Sequence, residues 1–244
     1  VDTHPGFLRV WNAEIRDPRN RGELDLGGIL AHSSQVGISR LALMVNEYDV
    51  WNLFQKLGFG EVTGIGFPGE SSGFLPNRRR WKDVERVTFA YGYGLTVTPL
   101  QLAQAYQTIA SGGIKQSVSL IKDPTLQSER VMSEDIAVAL QSMLHRVVTE
   151  GTGKKAAIEA YEVAGKTGTA RKLGDRGYDD QRHIAFFAGF APVSSPRFVG
   201  VVVINEPKTA SVGGGSIAAP IFSRVMRSVL RLNSVLPTFV REAA

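Results

Sequence analysis

Cysteine is absent from the 244 residues, which excludes a disulfide scaffold and a thiolate zinc site. The absence fixes no compartment and is compatible with export. No stretch approaches the roughly 18 apolar residues that a membrane-spanning helix needs; the longest apolar run, Ile184 to Val193, is too short. The opening residues Val1-Asp2-Thr3-His4-Pro5 carry neither the basic start nor the apolar segment of a signal peptide. The expectation is therefore a cytosolic chain, or one whose export and anchoring segment lies upstream. The four histidines, at 4, 32, 145 and 183, show no metal-ligand spacing, and neither a metal nor any other cofactor is expected. Internal repeats and low-complexity segments are also missing.

What is present is enough chain for one large domain or two small ones, with an ordinary 43% of hydrophobic and 21% of charged residues. The net charge of +5 would suit an anionic polymer, either nucleic acid or cell wall. The Lys and Arg residues are mostly scattered, however. Their one tight cluster, Arg78-Arg79-Arg80 beside Trp81 and Lys82, reads better as a solvated loop than as a nucleic-acid patch. No nucleic-acid partner is expected.

Helical periodicity dominates the first 150 residues. Ile38, Leu41, Ala42 and Val45 recur at helical spacing, and Val50, Leu53, Phe54 and Leu57 repeat the pattern until Gly58 and Gly60 end it. Residues 60 to 81, rich in Gly, Pro, Ser and Arg, read as a long ordered loop, a feature that in compact domains is often functional. Thr98-Pro99-Leu100-Gln101 has the chemistry of a helix start: a capping hydroxyl, a proline at the first helical position, and an amide to close a capping box. Leu102, Ala105, Tyr106 and Ile109 are expected on the buried face of that helix, and Gly112-Gly113 at its end. A further helix is expected from about Ser133, with Glu134 and Asp135 in the first turn and Ile136, Leu140, Leu144 and Val147 as its apolar stripe.

After Gly153 the pattern changes. Tyr161 to Thr169 reads as a strand. Ile184 to Ala191 is apolar on both faces, as in a central strand covered on both sides. A Ser194-Ser195-Pro196 turn separates it from a third strand, Phe198 to Ile204, so those two should be antiparallel neighbours. A Gly213-Gly214-Gly215 loop then leads to a closing helix with Ile221, Val225, Val229 and Leu232 on its buried side. The layout is α+β, with a helical part over about 1–155 and a sheet with its closing helix over about 156–232.

The most informative string is Lys166-Thr167-Gly168-Thr169, on a predicted strand. Lys166 offers a fixed positive charge, and Thr167 and Thr169 offer hydroxyls for a carboxylate. Gly168 leaves room for an extended peptide to lie against the strand edge. Lys-Thr-Gly on a strand, with Ser-x-x-Lys and Ser-x-Asn elsewhere, is the motif set of penicillin-binding proteins and serine β-lactamases. Other segments fall in the matching order: Ser33-Ser34-Gln35-Val36-Gly37 at the junction of two helices, Pro68-Gly69-Glu70 and Trp81 in the long loop, Glu85-Arg86-Val87-Thr88-Phe89 running into Gly92-Tyr93-Gly94, and the Gly-rich turn before the last helix. Through nearly its whole length the chain resembles the transpeptidase domain of the class B penicillin-binding proteins, most closely those of the cell-division (septal) type.

The resemblance implies a penicillin-binding transpeptidase / serine β-lactamase-like fold whose N-terminal part lies outside this chain. The implied activity is acyl transfer: a serine attacks the D-Ala-D-Ala end of a peptidoglycan stem peptide, and an amino group of a neighbouring stem resolves the acyl-enzyme. β-Lactam antibiotics mimic that D-Ala-D-Ala end. By the same resemblance Lys166 is the electrostatic and proton-relay lysine. Thr167, Gly168 and Thr169 bind substrate, and the Thr169 N–H supplies half of an oxyanion hole. Ser33 joins the proton relay, and Gln35 stands where the family has Asn. Implied partners are stem peptides, β-lactams and, through the parent protein, other division proteins. The implied location is the periplasmic face of the bacterial inner membrane.

Two departures matter. Gln35 carries its amide one methylene further out than Asn. In addition, the family's Ser-x-x-Lys nucleophile precedes the second motif, whereas the only Ser or Thr before Ser33 is Thr3, with Gly6 three places on. The nucleophile is therefore expected upstream of this chain. Ser119-Leu120-Ile121-Lys122 fits the pattern, but its β-branched, Pro-terminated setting through Asp123-Pro124 reads as extended, which would keep serine and lysine off a common helical face. A D,D-carboxypeptidase or β-lactamase fits the long loop less well. A non-catalytic binding or scaffold protein that keeps the fold is the alternative from another class.

Overall fold

The computed structural model describes residues 1–77, 79–122, 125, 127–174, 177–209 and 211–238. Arg78, and Asp123 and Pro124 of the 119–124 stretch, lie outside the described residues. The chain runs β1 (Phe7–Val10), β2 (Ala13–Arg16), α1 (Leu26–His32), α2 (Gln35–Met44), α3 (Glu47–Lys56), α4 (Asp83–Ala90), α5 (Pro99–Ala110), β3 (Ile114–Gln116), β4 (Ser128–Arg130), α6 (Glu134–Thr149), β5 (Ala164–Gly174), β6 (Gly177–Ala191), β7 (Phe198–Asn205) and α7 (Gly214–Leu232). The first part is thus less purely helical than its periodicity implies, since two antiparallel hairpins, β1–β2 and β3–β4, interrupt it.

The main sheet is the antiparallel meander β5-β6-β7. As expected from its two apolar faces, β6 is central. Alternation sends Phe187 and Ala191 to one side, where Ala218, Ala219, Phe222, Met226 and Leu230 of α7 close over them. Phe187 and Phe222 meet ring to ring at 4.7 Å. Phe190 goes to the other side with Ala164, against Leu144 of α6 and the partly buried Tyr106 and Ile109 of α5. The result is a helix–sheet–helix sandwich, and no helix among the described residues is long and apolar enough to cross a membrane.

Several expectations need correction. The strand that carries Lys166 begins at Ala164; Tyr161 makes only an isolated bridge with Ile158. Helix α7 already includes Gly214 and Gly215, and its buried face is the Ala218/Phe222/Met226/Leu230 stripe. Val225 is 55% and Leu232 84% exposed. Two parallel i, i+4 stripes run along this helix, and the aromatic one fits the Phe187 surface. In α6, Ile136 is 55% exposed and Ala137 takes its place inside.

The start of α5 follows its sequence signature: Thr98 Oγ1 accepts the Gln101 N–H at 3.1 Å, and Gln101 Oε1 accepts the Thr98 N–H at 2.8 Å. Its fully buried positions, however, are Gln101, Gln104, Ala105 and Thr108, while Leu102, Tyr106 and Ile109 are only partly buried. The polar face answers a polar need. Gln101 Nε2 donates to the carbonyls of Glu61 and Ser72, both at 2.7 Å, so this buried amide anchors the 60–81 loop. Glu70 orders the same loop by accepting from the Thr63 N–H at 2.7 Å and from the Thr63 hydroxyl.

Candidate active site

Two helix ends and one strand edge converge on a polar cluster. Helix α1 ends at Ser33, which takes the left-handed conformation (φ 54°) and turns the chain sharply into α2. Ser34 then caps α2, accepting the Gly37 N–H at 2.9 Å. Its own proton goes to Asp17 Oδ2 at 2.5 Å, and Asp17 Oδ1 accepts the N–H of Gln35 at 2.7 Å and of Val36 at 3.1 Å. One carboxylate thereby satisfies two of the free donors at the start of α2, where the helix dipole favours negative charge. Asp17 follows β2 directly. The inner face of that hairpin (Val10 and Ile15) is packed on Val87 of α4 and Leu43 of α2, which fixes where the carboxylate sits.

Helix α1 is held to α6 at its other end. Asp25 caps α1 through the Gly28 N–H at 2.6 Å and pairs with Arg146 of α6 at 2.7 Å. That guanidinium holds the Asp25 carboxyl below its ordinary range. Helix α6 then delivers the Glu150-Gly151-Thr152-Gly153 turn beside the end of α1, with the Thr152 N–H on the Ala31 carbonyl at 3.0 Å. A side chain at Gly151 would meet that same carbonyl at 2.1 Å, so the close approach requires glycine.

Strand β5 closes the cluster. Lys166 Nζ donates to Ser33 Oγ at 2.5 Å across 133 positions of sequence, and to the Thr167 carbonyl at 3.1 Å. Burial pushes the Lys166 ammonium down to about 8. Thr167 Oγ1 lies 2.9 Å from Thr152 Oγ1, which lies 3.4 Å from Ser33 Oγ. Thr169 Oγ1 accepts the N–H of Gly214, at the start of α7, at 3.0 Å, which leaves its hydroxyl proton free for a ligand. The Arg171 N–H leaves β5 away from β6 and donates to the Tyr93 hydroxyl at 3.3 Å. By the two-residue alternation of a strand, the N–H groups of Thr169 and Thr167 leave by the same open edge.

Of the residues singled out from sequence, Ser33, Lys166 and Thr167 are thus brought together, with Thr169 next along the edge. Gln35 is the first residue of α2 and exposed, and its side-chain amide has no hydrogen-bond partner among the described residues. Gly168 also meets a steric requirement inside the sheet. Its cross-strand partner Phe186 lays its ring over it, and a Cβ there would lie 2.0 Å from the ring. Gly168→Ala should therefore lower stability by about 1–3 kcal/mol, read by thermal unfolding, and Phe186→Ala in the same chain should restore most of the loss. A Gly168→Ala variant as stable as its parent would show that the ring does not set this requirement.

The Ser119–Lys122 pattern lies in irregular chain. Ser119 Oγ accepts the Ile121 N–H and donates to the Ile121 carbonyl in a local turn, so the serine and lysine share no helix. Asp17 and Thr152 were not found by sequence reasoning. Thr152 stands between two glycines, a setting that reads as a turn, and Asp17 stands before Pro18, where it reads as a loop residue.

Residues 3–227 match the family model described as penicillin binding protein transpeptidase domain. Over 231 residues the chain is 45% identical to the peptidoglycan D,D-transpeptidase FtsI of Escherichia coli K12, covering 94% of this chain and 39% of that protein. It is 35% identical to the probable peptidoglycan D,D-transpeptidase PbpC of Pseudomonas aeruginosa, of which it covers 43%. The chain therefore spans about two fifths of the length of these relatives. The apo transpeptidase domain of Burkholderia pseudomallei penicillin-binding protein 3 superposes with a TM-score of 0.93 at 36% identity, over 98% of this chain and 74% of that one.

Proposed function

The chain belongs to the penicillin-binding protein transpeptidase family, and from that premise we propose that it forms the C-terminal part of the catalytic domain of a septal peptidoglycan D,D-transpeptidase. The observation that carries the reading is the 2.5 Å contact between Lys166 Nζ and Ser33 Oγ, which joins two motifs 133 residues apart. On this reading the serine nucleophile and its lysine come from sequence outside these 244 residues. Ser33 relays its proton, and Lys166 attracts the carboxylate of the D-Ala-D-Ala end or of a β-lactam. Thr167 and Thr169 hydrogen-bond that carboxylate. The outward Thr169 N–H supports the developing oxyanion, a kind of contact worth about 3–4 kcal/mol. The acyl donor would lie along the open edge of β5 as an added strand, ending where the Tyr93 hydroxyl takes the Arg171 N–H. On the same reading we place the parent, an enzyme of peptidoglycan like the relatives named above, at the periplasmic face of the inner membrane among the division proteins.

Labelled penicillin tests the reading. The full-length protein that carries this chain should form a stoichiometric covalent adduct on a serine outside it, and the isolated chain should form none. An unlabelled full-length protein would favour a non-catalytic scaffold, and an adduct on Ser119 would overturn the placement of the nucleophile. Gln35 supplies a second check. Its amide has no partner among the described residues, and the extra torsion must be ordered when substrate binds, at a cost of about 0.5 kcal/mol before any misdirection. Gln35→Asn in the full-length protein is expected to raise the second-order acylation constant about 5- to 100-fold, the range set by one well-made or misdirected hydrogen bond. A slower Asn variant would mean that Gln35 is adapted to another donor or acceptor.

A further inference from the structure

Four polar atoms form a closed ring at the site: Lys166 Nζ, Ser33 Oγ, Thr152 Oγ1 and Thr167 Oγ1, with successive separations of 2.5, 3.4 and 2.9 Å and a closing 3.4 Å from Thr167 back to Lys166. An ammonium can only donate. It therefore donates to the hydroxyls on both sides of it, and neither can donate back. The three hydroxyls hold three protons, yet only two hydroxyl–hydroxyl links exist in the ring. One proton must point out of the ring. Three orders satisfy this: Ser33 donates to Thr152 and Thr152 to Thr167, and the Thr167 proton leaves; the order runs the other way and the Ser33 proton leaves; or Thr152 accepts from both neighbours and its own proton leaves.

From this geometry we infer that Thr152 is a positioning residue that couples anion recognition at Thr167 to proton handling at Ser33. The inference rests on the transpeptidase reading of the site. A ligand carboxylate at Thr167 selects the first order, because a carboxylate accepts and the Thr167 proton must then face it. Thr152 in turn points its proton at Thr167 and accepts the proton of Ser33. Ser33, already accepting from Lys166, then has its second lone pair turned to the cleft, ready to accept a hydrogen bond from the acylation machinery. Without the middle hydroxyl the two ends orient independently. Chains of hydrogen bonds of this kind polarise one another, and this strengthens the coupling.

The surroundings hold Thr152 where the coupling needs it. Its N–H is bonded to Ala31 at the end of α1, and a Cβ on Gly215 of α7 would lie 2.4 Å from its carbonyl. The backbone is thus pinned between two helices while the side chain stays exposed to the cleft. Thr169 shows the same device with a backbone donor in the middle position, since the Gly214 N–H fills its acceptor site and turns its proton outward.

The test uses the full-length protein, one penicillin, and the methyl ester of that penicillin, which cannot present a carboxylate. The readout is the ratio of the acylation constants for acid and ester in the parent, Thr152→Val and Thr152→Ser. Valine keeps the shape and removes the hydroxyl; serine keeps the hydroxyl. The acid-to-ester ratio should fall about tenfold in Thr152→Val, the effect of about one hydrogen bond to a charged group, and return to within about threefold of the parent value in Thr152→Ser. A structural role alone would slow acid and ester together and leave the ratio unchanged, which would overturn the inference, as would a valine variant identical to its parent. Thermal unfolding identifies a valine variant that fails to fold. In that case the serine variant and Thr152→Ala carry the comparison, alanine being required to lower the ratio. A parent that penicillin does not acylate would remove the transpeptidase reading itself, and this inference with it.

Discussion

In the full-length protein, Asp17→Ala is expected to lower the second-order acylation constant for penicillin at least about 100-fold, the loss that follows when reacting groups are misplaced by about 1 Å. No atom of Asp17 belongs to the Ser33–Lys166–Thr152–Thr167 ring. Its carboxylate instead gathers three donors, the Ser34 hydroxyl and the N–H groups of Gln35 and Val36, and so fixes the turn in which Ser33 stands at φ 54°. A serine in the left-handed region is held there by its surroundings at a cost of order 1 kcal/mol. Removal of the carboxylate leaves two helix-start N–H groups and one buried serine hydroxyl short of a partner, each charge-assisted bond having contributed about 1.5–3 kcal/mol. The turn then relaxes, and Ser33 moves away from Lys166. Asp17→Asn keeps an acceptor but loses the charge, so it should fall between parent and Ala. Measured side by side, acylation constants within threefold of the parent for Asp17→Ala, at unchanged thermal stability, would show that the turn holds itself.

Asp17 also illustrates why parts of this site are hard to read from sequence. The capping box at Thr98–Gln101, the helix stop at Gly58 and the two-faced apolar run of β6 are local signals. Each needs only neighbours in the chain, and each is found where it was expected. Lys166 and Ser33 were legible through a resemblance that supplies their partnership in advance. Asp17, in contrast, acts across 17 to 19 positions through a hairpin whose packing on Val87 and Leu43 sets its place. Thr152 acts across 119 positions to Ser33, from a turn between glycines where a threonine is unremarkable. The buried faces of α5 and α7 failed for a related reason. Periodicity marks which side chains are apolar, but Gln101 is buried because loop carbonyls need a donor, and Phe222 wins over Val225 because Phe187 lies opposite. Gly168 has a further reason that no local window shows: the ring of its cross-strand neighbour Phe186 lies where a Cβ would stand.

Lys166→Met is expected to separate stability from function. Burial lowers the Lys166 ammonium from its ordinary 10.5 to about 8, so holding the charge in the cluster works against folding. Below pH 8 both folded and unfolded chains carry the proton, and the full cost of desolvating it is present. Between pH 8 and 10.5 the unfolded chain binds more protons than the folded one, so this contribution makes stability rise with pH and is complete above 10.5. The free energy of unfolding of the parent minus that of Lys166→Met should therefore increase across this window. At pH 7 the methionine variant, similar in volume, should unfold no earlier than its parent, because Ser33 faces the open cleft and can exchange its lost donor for water. Acylation should respond in the opposite sense. With the cation gone, neither the carboxylate nor the ring of hydroxyls has its fixed donor, and a fall of about 100- to 1,000-fold is expected, the scale seen when one preorganised donor to the reacting ligand is removed. In the parent the same charge disappears on titration, so recognition of an anionic β-lactam should weaken as pH rises through about 8, over the range in which the fold gains stability. Urea unfolding followed by the fluorescence of Trp11, Trp51 and Trp81, paired with acylation constants from pH 6 to 10.5, reads both curves on one full-length protein. A stability difference that stays flat across the window would mean that the ammonium is not desolvated in the folded state, and acylation that climbs through pH 8 would mean that Lys166 works as a neutral base.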